Sequence, residues 1–255
     1  MPSREFSMRL RAFVALLLLA GPGAAGAADL VVSAAASLTD AFQAVGKAYE
    51  AKHPETHVVL NFAASDVLLR QIANGAPADV FASADQTAMD KAVAAQAVDP
   101  STRRDFARNR LVLVVPKDSR LRIAAPADLA KPDVTRVAYG DPASVPAGRY
   151  TKAALEKAGL WDAVSAKGVL AQNVRQALDY VSRGEVDAGF VFATDATILG
   201  DRVHVAAVVP TPMPLTYPIA VVASSAHARD AAGFTAYVQS EEGRAILARF
   251  GFQAP

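Results

Sequence analysis

Apolar positions along this chain follow two alternating spacings. Short runs rich in β-branched residues read as buried strands: "DLVVSA" (29–34), "HVVLNFA" (57–63) and "ADVFAS" (78–83). Between them the spacing becomes helical. Leu38, Ala41, Phe42, Val45, Ala48 and Tyr49 form one apolar face, which stops near Lys52, ahead of Pro54. A second helix starts near Ser65, carries Leu68, Leu69 and Ile72, and ends at Asn74-Gly75. A third follows Asp85. Strand–helix–strand–helix–strand predicts a parallel sheet with right-handed crossovers.

After the long apolar strand "RLVLVVPK" (110–117) a second series begins. Strands are expected at 134–140, 168–171 and 186–192, with helices at 147–158, from Asn173, and briefly after Ala193-Thr194. Strands at 203–209 and 217–222 follow, and a helical pattern runs from about 227 to 249. Each series alone has little core, and extended apolar segments join them. The expected fold class is α/β with two lobes, each lobe a mostly parallel sheet flanked by helices. Residues 29–112 and 218–255 would form lobe 1 and residues 113–217 lobe 2, with a two-strand hinge near 111–117 and 215–219. Ligands of doubly wound sheets bind at the carboxyl ends of strands.

The N-terminus adds a destination. Arg4, Arg9 and Arg11 lead into the apolar "AFVALLLLA" (12–20) and then into small residues, the order of a secretory signal peptide. Its expected span is 1–28, and the apolar core is too short to cross a bilayer. Removal of three Arg and one Glu would take the formal net charge from +1 to −1. A near-neutral mature chain speaks against a nucleic-acid partner. The chain has no cysteine. That excludes disulfides, and also the cleavage-site Cys of a lipid anchor. The expectation is an exported periplasmic protein that is not lipid-anchored.

Candidate chemistry gathers at strand-to-helix junctions. Ser37 follows the first strand and Ser65 the second; Ala147-Gly148 and Val174 open helices of the second series. Free amides and the positive end of the helix dipole collect at such points and can hold an anion without charged side chains. Each serine also fits an ordinary N-cap, and Ser37 with Asp40 resembles a capping box. Asp66 reads as a first-turn charge whose carboxylate points away from any anion. The alanines at 35, 36, 63 and 64 fit either close backbone approach or tight packing. No nucleophile elbow, phosphate loop or zinc-binding helix motif is present. His53, His57, His204 and His227 lack ligand spacing, so no metal-cation site, no cofactor and no enzyme activity is expected.

Several long motifs carry a family resemblance. "AAASLTDAF" (34–42), "RQIANGAPADVFASAD" (70–85), "GDPASVPAGRYTKAALEKAGLW" (140–161) and "NVRQAL" (173–178) resemble, in this order, the periplasmic molybdate-binding proteins of ABC importers. The resemblance runs from about residue 30 to "RFGF" (249–252) and implies the two-lobed type II periplasmic-binding-protein fold. It implies capture of molybdate or tungstate between two lobes by a monomer and delivery to the membrane permease of an ABC importer. Sulfate or another small tetrahedral oxyanion is the alternative. It also implies the site: hydroxyls and amides at Ser37 and Ser65, and amides at Ala147 and Val174. A family tyrosine matches Phe192, which has no donor; Thr194 is a nearby hydroxyl. A cavity of donors alone favours fully deprotonated dianions, because the O–H of a protonated oxyanion finds no acceptor.

Overall fold

The computed structural model describes residues 28–255. The expected signal segment lies outside them except for Ala28, which opens the first strand. The N-terminal series builds strands β1 (Ala28–Ala35), β2 (Thr56–Ala63) and β3 (Val80–Ala82), with helices α1 (Thr39–Lys52), α2 (Ser65–Ala73) and α3 (Gln86–Ala94). Strand β4 (Arg104–Asn109) then reaches the crossover, and β5 (Leu111–Pro116) lies in another sheet. The second series runs β6 (Val137–Gly140), α4 (Pro146–Lys157), α5 (Trp161–Ser165), β7 (Gly168–Ala171), α6 (Val174–Ser182), β8 (Ala188–Phe192), α7 (Ala193–Ile198) and β9 (Val203–Val209). Strand β10 (Leu215–Val221) returns to the first sheet, and α8 (Ala228–Gln239) and α9 (Glu241–Arg249) close the chain.

The first sheet has the order β2-β1-β3-β10-β4 and the second β7-β6-β8-β5-β9. In each, three strands pair in parallel and the last two pairings are antiparallel, so the sheets are more mixed than the expected mostly parallel ones. The same order recurs because the strand next to the crossover slots between the third strand and the edge strand in both. Leu111 and Val112, expected with lobe 1, pair with Phe192 and Val191 of the second sheet. Leu215, Thr216 and Tyr217, expected with lobe 2, pair with Asn109, Arg108 and Ala107 of the first. The chain therefore changes sheets at Arg110 and again across Pro210–Pro214.

Strand alternation divides the core of the first sheet. Phe81 turns toward α2 and α3, where it joins Leu68 and Met89. Val80 and Ala82 face the opposite side. There Phe42 of α1 lies 5.7 Å from Phe106 of β4 and 6.2 Å from Phe234 of α8, ring centroid to ring centroid. Burying three such rings contributes several kcal/mol, at roughly 25 cal/mol per Å² of apolar surface. These packed faces leave the carboxyl ends of the parallel strands free to meet between the sheets.

Candidate functional site

Between the sheets lies a small cavity, with about 200 Å³ of atom-free space. Its walls come from the carboxyl end of every parallel strand. Ala35 ends β1, with Ala36 and Ser37 after it; Ala63 ends β2, with Ala64 and Ser65 after it; Ala84 follows β3. From the other sheet, Val145, Pro146 and Ala147 open α4, Asn173 and Val174 open α6, and Phe192 ends β8. All five sequence-named positions (Ser37, Ser65, Ala147, Val174 and Phe192) line this one cavity.

The two junctions of the second sheet bring backbone amides of helix first turns to the cavity wall. Pro146 occupies the first position of α4 and has no N–H, so Ala147 supplies the first amide of that helix. Val174 is the first residue of α6, behind Asn173, whose side chain accepts from the Gln176 amide. Amides this early have no intrahelical acceptor. Gly148 lets α4 sit down on the end of β6. A Cβ there would lie 1.9 Å from the Gly140 carbonyl oxygen.

The serines depart from the capping expectation. Neither caps a helix. Ser37 lies in a 3-10 turn, Ala36–Leu38, ahead of α1, and its Oγ is 3.1 Å from the Tyr217 hydroxyl. Ser65 is already the first residue of α2, and its Oγ accepts from the Ala84 amide at 3.0 Å. That bond occupies a lone pair of Ser65 and leaves its proton for the cavity. Asp40 does not complete a capping box; it accepts from Arg175 at 2.7 Å. Thr194 does not line the cavity either. Its hydroxyl accepts from the Asn109 amide at 2.9 Å. Phe192 is 1% exposed and stands edge-on to Tyr150 and Tyr217, with centroids at 6.3 and 5.8 Å.

Two ion clusters join the sheets beside the cavity, and sequence reasoning missed both. Arg149 of α4 donates to Asp85 at 2.7 Å and to Asp66 at 2.6 Å, and Lys91 holds the other oxygen of Asp66 at 2.6 Å. Asp66 is thus drawn into a buried ion cluster, besides serving the dipole of α2. Arg175 of α6 holds Asp40 of α1 and Asp195 of α7. Three cations face four carboxylates, so these side chains give the cavity no net positive charge. Attraction for an anion must come from amides and hydroxyls. The signal was present in the sequence: an arginine in the first turn of a helix opposes the dipole and demands a carboxylate or an anion nearby.

Burial pushes the Asp195 carboxyl up to about 6, against the opposing pull of Arg175. Its Oδ2 is buried without a partner. An unfolded Asp releases its proton near 3.8 and the folded one near 6, so between these values the folded chain binds the extra proton. Stability from this group therefore falls as pH rises through that window. Asp195→Asn, which cannot titrate, should gain on the wild type by on the order of 2 kcal/mol as pH rises from 4 to 7. Melting curves of the two proteins across this range measure it; a difference that moves the other way would mean that the Arg175 pairing outweighs burial.

The model of the bacterial extracellular solute-binding protein family matches residues 30–253. The chain is 40% identical to a protein of Escherichia coli named molybdate-binding protein ModA, over 92% of each chain. It is 37% identical to the Haemophilus influenzae protein of the same name, over 93% of this chain and 96% of that one. Among solved structures, the periplasmic molybdate-binding protein of Azotobacter vinelandii superposes with a TM-score of 0.73 at 25% identity, covering 89% of this chain and 99% of its own.

Proposed function

Because the chain belongs to the bacterial extracellular solute-binding protein family, we propose that it captures molybdate between its two lobes in the periplasm and hands it to the membrane permease of an ABC importer. The single observation that carries this is the convergence of Ser37, Ser65, Ala147 and Val174 on one small cavity, from junctions scattered over 138 residues of chain. A site walled by alanine and fed by amides and hydroxyls suits a compact dianion and offers nothing for the chemistry of an enzyme.

In this reading the dianion is held by dipoles rather than by a countercharge. Each donor comes from a rigid strand-to-helix turn, so little reorganisation is needed on binding. The ligand bridges both lobes and shifts the population toward the closed form. Tungstate, almost the same size, competes; sulfate, smaller, leaves donors unpaired. Phe192 supplies no hydroxyl, and the ring fills space against Tyr150 and Tyr217.

Calorimetry tests the reading. Molybdate and tungstate should bind on the order of micromolar or tighter, within a few-fold of each other, and sulfate much more weakly. Tighter binding of sulfate would reassign the ligand, and no binding of any of the three would sink the proposal. Ser65→Ala should weaken molybdate about tenfold, the contribution of a hydrogen bond to a charged group, and lower the melting temperature by a few degrees, because the buried Ala84 amide loses its acceptor.

A further inference from the structure

We infer that Tyr217 and Asn109 are positioning residues that fix Ser37 as a hydrogen-bond donor, and so help the cavity reject protonated oxyanions. This rests on the oxyanion reading of the cavity.

The chain of bonds has one direction. The side-chain oxygen of Asn109 accepts from the Arg110 amide at 2.9 Å, which settles which way the Asn109 side chain faces. Its NH2 group therefore supplies both remaining contacts. One hydrogen goes to the Thr194 hydroxyl at 2.9 Å and the other to the Tyr217 hydroxyl at 3.2 Å. An NH2 group cannot accept, so Tyr217 Oη is the acceptor in that pair. Tyr217 is fully buried, and among the described residues its hydroxyl has only one other partner, Ser37 Oγ at 3.1 Å. A buried O–H without an acceptor is costly. The Tyr217 proton therefore goes to Ser37, and the Ser37 proton turns to the cavity. Ser65 reaches the same state by a different route, through the Ala84 amide.

The relay has a consequence for selectivity. A serine whose lone pair is already used gives a proton and offers little for the O–H of a hydrogen arsenate or hydrogen phosphate ion. A serine free to rotate can accept one. Asn109 ends β4 in the first sheet, and Thr194 lies in α7 beside the second, so the amide that starts the relay is held from both lobes.

The experiment compares molybdate and hydrogen arsenate at pH 8, where both are dianions and only one carries a proton. The readout is the ratio of their dissociation constants by competition calorimetry. Tyr217→Phe should weaken molybdate on the order of tenfold and reduce the arsenate-to-molybdate ratio by a similar factor. In a Ser37→Ala background the same substitution should leave the ratio unchanged, because the hydroxyl it governs is gone. Asn109→Asp, which presents only acceptors to Tyr217 when ionised, should also lower the ratio. Its added charge acts equally on both dianions, so the ratio reads the relay even if absolute affinity drops. An unchanged ratio in both single variants, or an equal fall in the Ser37→Ala background, overturns the relay while the binding function stands. A wild-type protein that binds neither anion overturns the reading beneath it, and the relay with it.

Discussion

Arg149→Ala should weaken binding of the proposed oxyanion about 100-fold while leaving the melting temperature of the ligand-free protein within a few degrees of wild type. Arg149 is the cation shared by Asp66 and Asp85, whose side chains are only 6% and 4% exposed. Removing one partner of a buried ion pair costs about 3–5 kcal/mol, because the other charge stays desolvated. Here the chain has an escape. Lys91 still holds Asp66, so the charge left alone is Asp85; it belongs to the first lobe and Arg149 to the second, so opening the lobes would let water replace the guanidinium. The penalty falls on the closed form, and about 3 kcal/mol against closure appears as roughly two orders of magnitude in affinity. Arg149→Lys should recover only part of this, since one ammonium cannot reproduce a planar fork aimed at two carboxylates. Wild-type affinity in Arg149→Ala would show that the cluster does not bias closure. A collapse of the ligand-free melting temperature would show that the lobes do not separate.

Gly148→Ala should lower stability by about 3 kcal/mol and reduce affinity beyond any serine substitution. A Cβ at this position would lie 1.9 Å from the Gly140 carbonyl oxygen and 2.6 Å from the carbon behind it. Both are backbone, so no rotamer relieves the clash and the first turn of α4 must lift from the end of β6. Overpacking of this kind costs about 1–3 kcal/mol or more, and the Ala147 amide moves with the turn. Gly159→Ala is the control. Gly159 has φ +69, and a Cβ added there would meet no atom within 4 Å, so the variant should lose only the roughly 1 kcal/mol of an unfavourable left-handed residue. Urea titration of the two variants separates crowding from backbone preference; equal losses would remove the close-approach explanation.

The junctions were legible because each is local. A β-branched run, a small residue and a helical period sit within ten positions, and the family resemblance placed Ser37, Ser65, Ala147, Val174 and Phe192 among them. The structure draws these five together. What the hydroxyls do was not legible. Ser37 looks like a cap in one dimension, but Tyr217, 180 positions away, takes its oxygen. The only hint is a tyrosine at an inward position of a buried strand, where a hydroxyl needs a partner. Strand β4 was missed for a related reason. "RDFARN" carries charge at its solvent-facing positions because it is the edge of its sheet, and that hides Phe106, Ala107 and Asn109 on the inward side.

The placement of β10 also sets an order of assembly. The second sheet is built from one unbroken stretch, β5 to β9, and has all its strands once residue 209 has emerged. The first sheet is split. Strand β10 lies between β3 and β4, so β4 has no neighbour in its sheet until about a hundred residues later in the chain. During synthesis or emergence from an export channel, the second lobe can therefore fold while β3 still presents an open edge. That edge is the segment most exposed to wrong pairing, and a chain cut short before β10 would hold one finished lobe and one that cannot close.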